Sequence, residues 1–271
     1  MNTQPMIMVA PDRVLHVCRL GSRLDYRVIG AHVIYVGLEE EITVYQPDGS
    51  STRSRVISVK PYQRHRIAAG RQYVKTILVE PETATERCLD DLHDTIGDTT
   101  LVEPLLAGLL DPNPLRRAFS CESTAPITKH EFDRLNFGYE LESREMDERI
   151  EVATKMLRDS IGDAILTDDC AEEFSISSSR FRRLFVGDTG VQFRKYRMWR
   201  RARAYLEQVL SMSSLTEIAL DLGYPDSTHF SRSIRSTYGL PPREMKTRMQ
   251  GSDFLISNER SRSVRLYDHS R

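Results

Sequence analysis

One eleven-residue pattern occurs twice in this chain, and the repeat limits the possible folds more than any other feature. Arg180-Phe-Arg-Arg-Leu-Phe-Val-Gly-Asp-Thr-Gly190 aligns with His229-Phe-Ser-Arg-Ser-Ile-Arg-Ser-Thr-Tyr-Gly239. The alignment pairs Phe181 with Phe230, Arg183 with Arg232, Phe185 with Ile234 and Gly190 with Gly239, each 49 residues apart. Apolar residues four apart, closed by a glycine, predict a short helix in each copy. A second short helix and a turn precede each copy: residues 167–175 lead into the first and 215–223 into the second, with Ala171 answering Ala219 at an offset of 48. The turns must absorb the one-residue difference. Helix, tight turn, helix is the form that lays a second helix in the major groove of DNA. Two copies predict two such placements about one helical turn, ~34 Å, apart.

The flanking pattern completes a helical domain over residues 148–250. Ile150, Ala153, Met156, Leu157 and Ile161 form the stripe of a first helix. Any serine of Ser177-Ser-Ser179 can cap the first copy. Phe193, Tyr196, Trp199, Ala202, Leu206 and Val209 predict a long helix joining the copies. Ser214 and Glu217 make a capping box, and Pro241-Pro242 opens a last helix.

Charge separates the chain. Residues 1–147 carry 17 Lys and Arg against 22 Asp and Glu, whereas residues 148–250 carry 17 against 14. Between Ile176 and Arg203 nine cations face one acid, Asp188. Such a local excess is the electrostatic footprint of a phosphate-binding surface.

The first half has another texture. Over residues 14–79, short β-rich runs are broken by turns, among them Pro47-Asp-Gly-Ser50, which predicts a sandwich or barrel-like sheet. Arg64 and Arg66 flank His65 and could meet an anionic effector. The leucine-rich stretch 101–110 either packs on its own sheet or forms a two-fold dimer contact. Cys18, Cys88, Cys121 and Cys170 lack Cys-x-x-Cys spacing, so reduced thiols and a cytoplasmic location are expected. Neither a signal peptide nor a membrane span is expected. No His, Cys and carboxylate cluster has ligand spacing, so neither metal, cofactor nor catalysis is expected.

Residues 218–245, from Ile218-Ala-Leu-Asp-Leu-Gly-Tyr-Pro-Asp-Ser-Thr-His-Phe230 to Pro241-Pro-Arg-Glu-Met245, resemble the paired helix-turn-helix domain of the AraC/XylS family of bacterial transcription regulators. Phe181-Arg-Arg-Leu-Phe185, Thr189-Gly190 and Tyr196-x-x-x-Arg200 extend that resemblance through the first copy. Val56-Ile-Ser-Val-Lys-Pro-Tyr-Gln-Arg-His65 is similar, more weakly, to the family's cupin-like regulatory domain. The resemblance implies an α+β protein: a β-rich, cupin-like regulatory and dimerising domain over residues 1–140, two helix-turn-helix units joined by a long helix over 148–250, and a tail over 251–271.

It also implies base-edge positions at Ser179, Arg182 and Arg183 in the first recognition helix. In the second they fall at Ser227, Thr228, Ser231 and Arg232, with His229 adjacent. Arginine can grip guanine O6 and N7 bidentately. Arg180, Lys195 and Arg200 are the expected phosphate contacts. The expected partners are double-stranded DNA, RNA polymerase, a second copy of the chain and a small effector, either an organic acid or a hydrophobic molecule. Activation is expected. An effector-independent or architectural DNA-binding protein is the alternative, and a cupin-type metalloenzyme fused to a DNA-binding domain the remote one. Two departures stand out: Ser175 replaces the family's turn glycine, and Cys170 takes an aliphatic position.

Overall fold

A computed structural model describes residues 3–21, 24–98, 108–111, 127–257 and 262–265. The first half is built on β1 (Met6–Val9), β2 (Arg13–Arg19), β3 (His32–Gly37), β4 (Ile42–Tyr45), β5 (Ser51–Ser54), β6 (Val56–Val59), β7 (Arg66–Ala68) and β8 (Tyr73–Val79). β9 (Asp253–Ser257) and β10 (Arg262–Arg265) follow the helical half and return to the same sheet. The large sheet runs β10-β9-β1-β2-β8-β3-β6, with β9 parallel to β1, and a second sheet runs β5-β4-β7.

Alternation along the strands buries both faces of the large sheet. Ile7, Val9, Val33, Tyr35 and Leu78 join one apolar cluster, while Met6, Met8, Ile34, Val36 and Ile77 join another. The second cluster is covered by α1 (Glu86–Gly97) and α2 (Lys129–Phe137) through Leu89, Leu92, Phe132 and Phe137. The first is covered by Ile42, Val44 and Ile67 of the small sheet and by side chains of the helical half.

Among the described residues the cupin-like closure implied by resemblance is absent. β6 forms one edge of the large sheet and β5 one edge of the small, although only Arg55 separates them in sequence. Arg55 turns the chain from one sheet into the other, and its guanidinium donates to the carbonyls of Gly37 and Leu38. The opposite side of β1 accepts β9, so the sheet grows by strands from the C-terminal end instead of curling onto itself. Of the leucine-rich stretch, Leu101, Leu105 and Leu106 lie outside the described residues, whereas Leu109 is buried under the large sheet. Cys121 also lies outside them, and Cys18, Cys88 and Cys170 are free thiols.

The helical half comprises α3 (Glu148–Asp159), α4 (Thr167–Glu173), α5 (Ser178–Thr189), α6 (Phe193–Gln208), α7 (Leu215–Asp221), α8 (Ser227–Tyr238) and α9 (Pro242–Met249). Each recognition-type helix has a defined start and stop. Ser177 accepts from the Arg180 amide at the start of α5, and Asp226 accepts from the Thr228 and His229 amides at the start of α8. Gly190 and Gly239 close the two helices in the left-handed conformation. The turn of the first unit spans residues 174–177 and that of the second 222–226, which accounts for the repeat's one-residue difference.

Ser175 adopts φ 51°, the left-handed conformation that Gly223 takes at φ 71° in the second unit. An L side chain is strained there by about 1–2 kcal/mol. Ser175→Gly is therefore expected to raise the unfolding free energy of the first unit by about 0.5–1 kcal/mol, after allowance for glycine's unfolded-state entropy. Urea titration checks this, and a loss of stability would show that the serine is favoured at that turn.

The two units have different cores. Phe181, Phe185, Val191, Phe193 and Tyr196 form a cluster with α3 and α4. Phe230, Ile234 and Leu222 of the second unit instead belong to the cluster that contains Val33, Tyr35 and Leu78 of the sheet domain. The second unit is thus welded to the first half of the chain, and the first unit has a core of its own.

Candidate nucleic-acid interface

The outward face of α5 presents Ser179, Arg180, Arg182 and Arg183, all exposed. Phe181 and Phe185 are fully buried beneath them, packed on Phe174, Phe193 and Tyr196 with ring centroids 5.1–6.2 Å apart. Burial of one helical stripe fixes which side chains point out. On α8 the same logic buries Phe230 and Ile234 and leaves Ser227, Thr228, His229 and Arg232 exposed, with Ser231 half-buried. His229 also folds back on the cap, its Nδ1 lying 2.7 Å from Asp226 Oδ2.

The nine cations between Ile176 and Arg203 divide into three groups. Arg180, Arg182, Arg183, Arg194 and Lys195 are exposed and make no ion pair among the described residues. Arg197 and Arg201 donate to the carbonyls of Ile165 and Asp163. Arg200 and Arg203 are only 3% and 1% exposed. Arg200 was expected to contact phosphate, but in this conformation it faces the sheet domain and no polyanion can reach it.

What Arg200 meets is a buried polar junction between the two halves. Glu80 follows β8, and Glu82 lies in the 3-10 turn Pro81–Thr83. Trp199 Nε1 donates to Glu80 Oε2 at 2.7 Å, and Arg203 Nε and Arg200 Nη1 lie 2.7 and 3.4 Å from Glu80 Oε1. The Tyr196 hydroxyl donates to Glu82 Oε1 at 2.6 Å, and the Arg203 guanidinium also donates to the Ala10 carbonyl. Burial, with Glu80 beside it, pushes the Glu82 carboxyl above its ordinary range. Burial likewise holds the Tyr196 phenol well above 10. Gly30 leaves the space that Trp199 fills, since a Cβ there would lie 2.4 Å from Trp199 Cγ. None of Glu80, Glu82 and Trp199 carries a sequence signal for this role: two acids after an apolar strand read as a solvated end.

The second unit is docked further. The Val28 and Asp25 amides donate to the carbonyls of Ser236 and Gly239 at 3.0 Å, and Arg235 pairs with Asp25 on the surface at 2.6 Å. These contacts occupy the C-terminal end of α8 and leave its N-terminal turns free.

Arg64, His65 and Arg66 do not converge. His65 is fully buried, with its Nδ1 2.8 Å from the Gln63 carbonyl and its Nε2 2.8 Å from the Tyr35 hydroxyl. The carbonyl requires the proton on Nδ1, so Nε2 accepts from Tyr35. Burial, then the nearby Arg27 charge, lowers the imidazole to about 3, which keeps it neutral. Arg64 and Arg66 point the other way, over the rings of Tyr26 and Tyr45 at 4.5–5.9 Å. The period-two alternation of an extended segment turns His65 away from the two arginines. Among the described residues no group of three or more His, Cys, Asp or Glu could hold a metal, and no helix is long and apolar enough to cross a membrane.

Residues 170–248 match a family model described as a helix-turn-helix domain. The invasion protein InvF of Salmonella typhi is 31% identical over 83 residues, covering 30% of this chain and 38% of that protein. The HTH-type transcriptional activator RhaS of Escherichia coli O139:H28 is 33% identical over 112 residues, covering 40% of this chain and 38% of that protein. The match thus spans well under half the length of these curated relatives. The crystal structure of ToxT from Vibrio cholerae O395 superposes with a TM-score of 0.56 at 15% identity, covering 89% of this chain and 99% of that one. At that identity the likeness is one of fold.

Proposed function

We propose that this chain, whose residues 170–248 match a helix-turn-helix family model and resemble the activator RhaS, is a member of the AraC/XylS family that binds double-stranded DNA at specific sequences and regulates transcription. The observation that carries this reading is the duplicated unit, in which α5 and α8 each bury an aromatic stripe and expose a polar, cationic one. On this reading Ser179, Arg182 and Arg183 read bases from α5, and Ser227, Thr228, His229, Ser231 and Arg232 read them from α8. Arg180 and Lys195 hold phosphate, joined by Arg194. The protein works as a cytoplasmic homodimeric activator that contacts RNA polymerase, and the similarity to the transcriptional activator RhaS supports that sign. A small effector tunes it, a reading supported by the ToxT structure from Vibrio cholerae strain SCE256 described as unsaturated fatty acid bound.

Selection from a randomised duplex library tests the proposal. Enrichment of one motif is expected, and recovery of the unselected base composition would overturn it. On the selected duplex, Arg182→Ala is expected to weaken binding by about 1–3 kcal/mol, with a much smaller loss on random DNA. Titrations on both duplexes at fixed salt check this. Equal losses would assign Arg182 to phosphate.

A further inference from the structure

Two segments of the sheet domain run past the C-terminal ends of both recognition-type helices. The Asp25 and Val28 amides donate to the carbonyls of Gly239 and Ser236 at the end of α8. Lys60, Pro61 and Tyr62 line a common cavity with Thr189, Gly190 and Val191 at the end of α5. The two segments hold each other: Arg27 and His65 exchange both backbone hydrogen bonds, and the Tyr62 amide donates to the Ile29 carbonyl at 2.7 Å. A recognition helix meets base edges with its N-terminal residues. The 12 residues of each helix extend about 18 Å, so on a duplex the C-terminal ends lie out at the level of the phosphates.

Arg64 and Arg66 stand on this pair of segments. With His65 turned inward, both arginines share the outer face with Tyr26 and with Tyr45, the register partner of Arg66 in β4. The guanidinium carbon of Arg64 is 5.4 Å from the Tyr26 ring centre, and that of Arg66 is 5.9 and 4.5 Å from the ring centres of Tyr26 and Tyr45. Arg64 is exposed and Arg66 half-buried, and neither makes an ion pair among the described residues. Other cations of the domain do: Arg53 lies 2.8 Å from Glu41, and Lys60 2.7 Å from Asp90. Held over the tyrosine rings, the two guanidinium groups are placed before an anion arrives, so less side-chain freedom is lost on binding one. Arg235 adds a third cation. It lies three residues beyond Arg232, itself four beyond Thr228, which puts all three on one face of α8. Its partner is Asp25 at 2.6 Å, and both side chains are more than half exposed. An exposed pair of this kind is weak, so a phosphate can displace the carboxylate.

We propose that the sheet domain itself grips the DNA backbone. Arg64 and Arg66 bind phosphates beside the grooves that α5 and α8 enter, and Arg235 passes from Asp25 to a phosphate. This surface rests on the regulator reading and deepens it. The half of the chain without a recognition helix contributes affinity but no choice of sequence, because phosphate contacts carry none.

The test is the salt dependence of duplex binding by the full chain, on its selected duplex and on a random one. Arg64→Gln with Arg66→Gln is expected to weaken both by a similar factor, about ten- to a hundredfold, and to lower the slope of log K against log salt by about 1–2. Arg64→Lys with Arg66→Lys keeps the charges and is expected to restore most of that slope. Asp25→Asn removes the acid from the surface and is expected to strengthen binding to both duplexes about two- to fivefold. Arg87→Gln removes an exposed cation from α1, on the other face of the large sheet, and is expected to leave the slope as it is. The surface is overturned if the folded glutamine pair keeps the wild-type slope, if its loss is confined to the selected duplex, if the lysine pair binds no better than the glutamine pair, or if Arg87→Gln lowers the slope as much. Circular dichroism checks the fold of each variant. Where the glutamine pair does not fold, Asp25→Asn decides, and an unchanged affinity then overturns the surface. Motif selection with a slope indifferent to Arg64 and Arg66 removes only this surface. A slope that depends on them without any selected motif removes only the sequence-specific regulator reading, and a wild-type chain that binds no duplex removes both.

Discussion

Glu80→Ala is expected to lower the unfolding free energy by about 3–5 kcal/mol, because it leaves charged groups buried with no partner. In the wild-type protein one carboxylate, 1% exposed, receives the Trp199 indole N–H and faces the guanidinium groups of Arg203 and Arg200. The helical half cannot rotate these three groups into water without leaving the sheet domain. Separation of the halves at the α6 junction is therefore the expected relief. Trp199 is the single tryptophan of the chain, so its fluorescence reports this junction directly. The variant should show a red-shifted emission and a lower urea midpoint. Glu80→Gln keeps an acceptor for the indole and should fall between the two. A loss below about 1 kcal/mol with unshifted emission would mean that the buried charges do not hold the halves together.

Phe181→Ala and Phe230→Ala occupy equivalent positions in the repeat, and each should cost about 3–5 kcal/mol as a buried aromatic truncation. Their consequences should differ. Phe181 lies in the cluster formed by α3–α5 and the start of α6, so its loss should open the first unit and spare the sheet. Phe230 shares a cluster with Val33, Tyr35 and Leu78, and it contacts Tyr205 and Tyr224 at ring distances of 5.2 and 5.3 Å. Its loss should reduce protection in α8 and the sheet together. Amide hydrogen exchange distinguishes the two patterns. Identical exchange profiles would show that the chain has one cooperative core.

The helical half was largely legible because its signals are local. Ser177, Ser214 with Glu217, and the glycines at 190 and 239 mark helix ends with groups only a few residues away. Ser175 was readable as a strained turn from its counterpart Gly223, and its φ of 51° agrees. The misses are long-range. The parallel pairing of β9 with β1 joins residues about 250 apart, and nothing in residues 253–257 distinguishes a sheet strand from a tail. An open sheet and a closed barrel require the same alternating strands, so the cupin-like closure could not be separated from the observed edge pairing. Arg200 and Arg203 share a helix with Lys195, and only the location of Glu80 turns them inward. Arg27 is only 4% exposed, although a lone arginine beside Tyr26 and Val28 reads as surface.

The central claim is that the two units act as two readers of one duplex. Hydroxyl-radical footprinting of the protein on its selected duplex tests this most directly. Two protected segments per protomer are predicted, centred about one helical turn, ~10 bp, apart. Each should fade separately when Arg182 with Arg183, or Arg232, is replaced by alanine. A single protected segment that responds to both sets of substitutions, or protection that ignores them, would contradict the account.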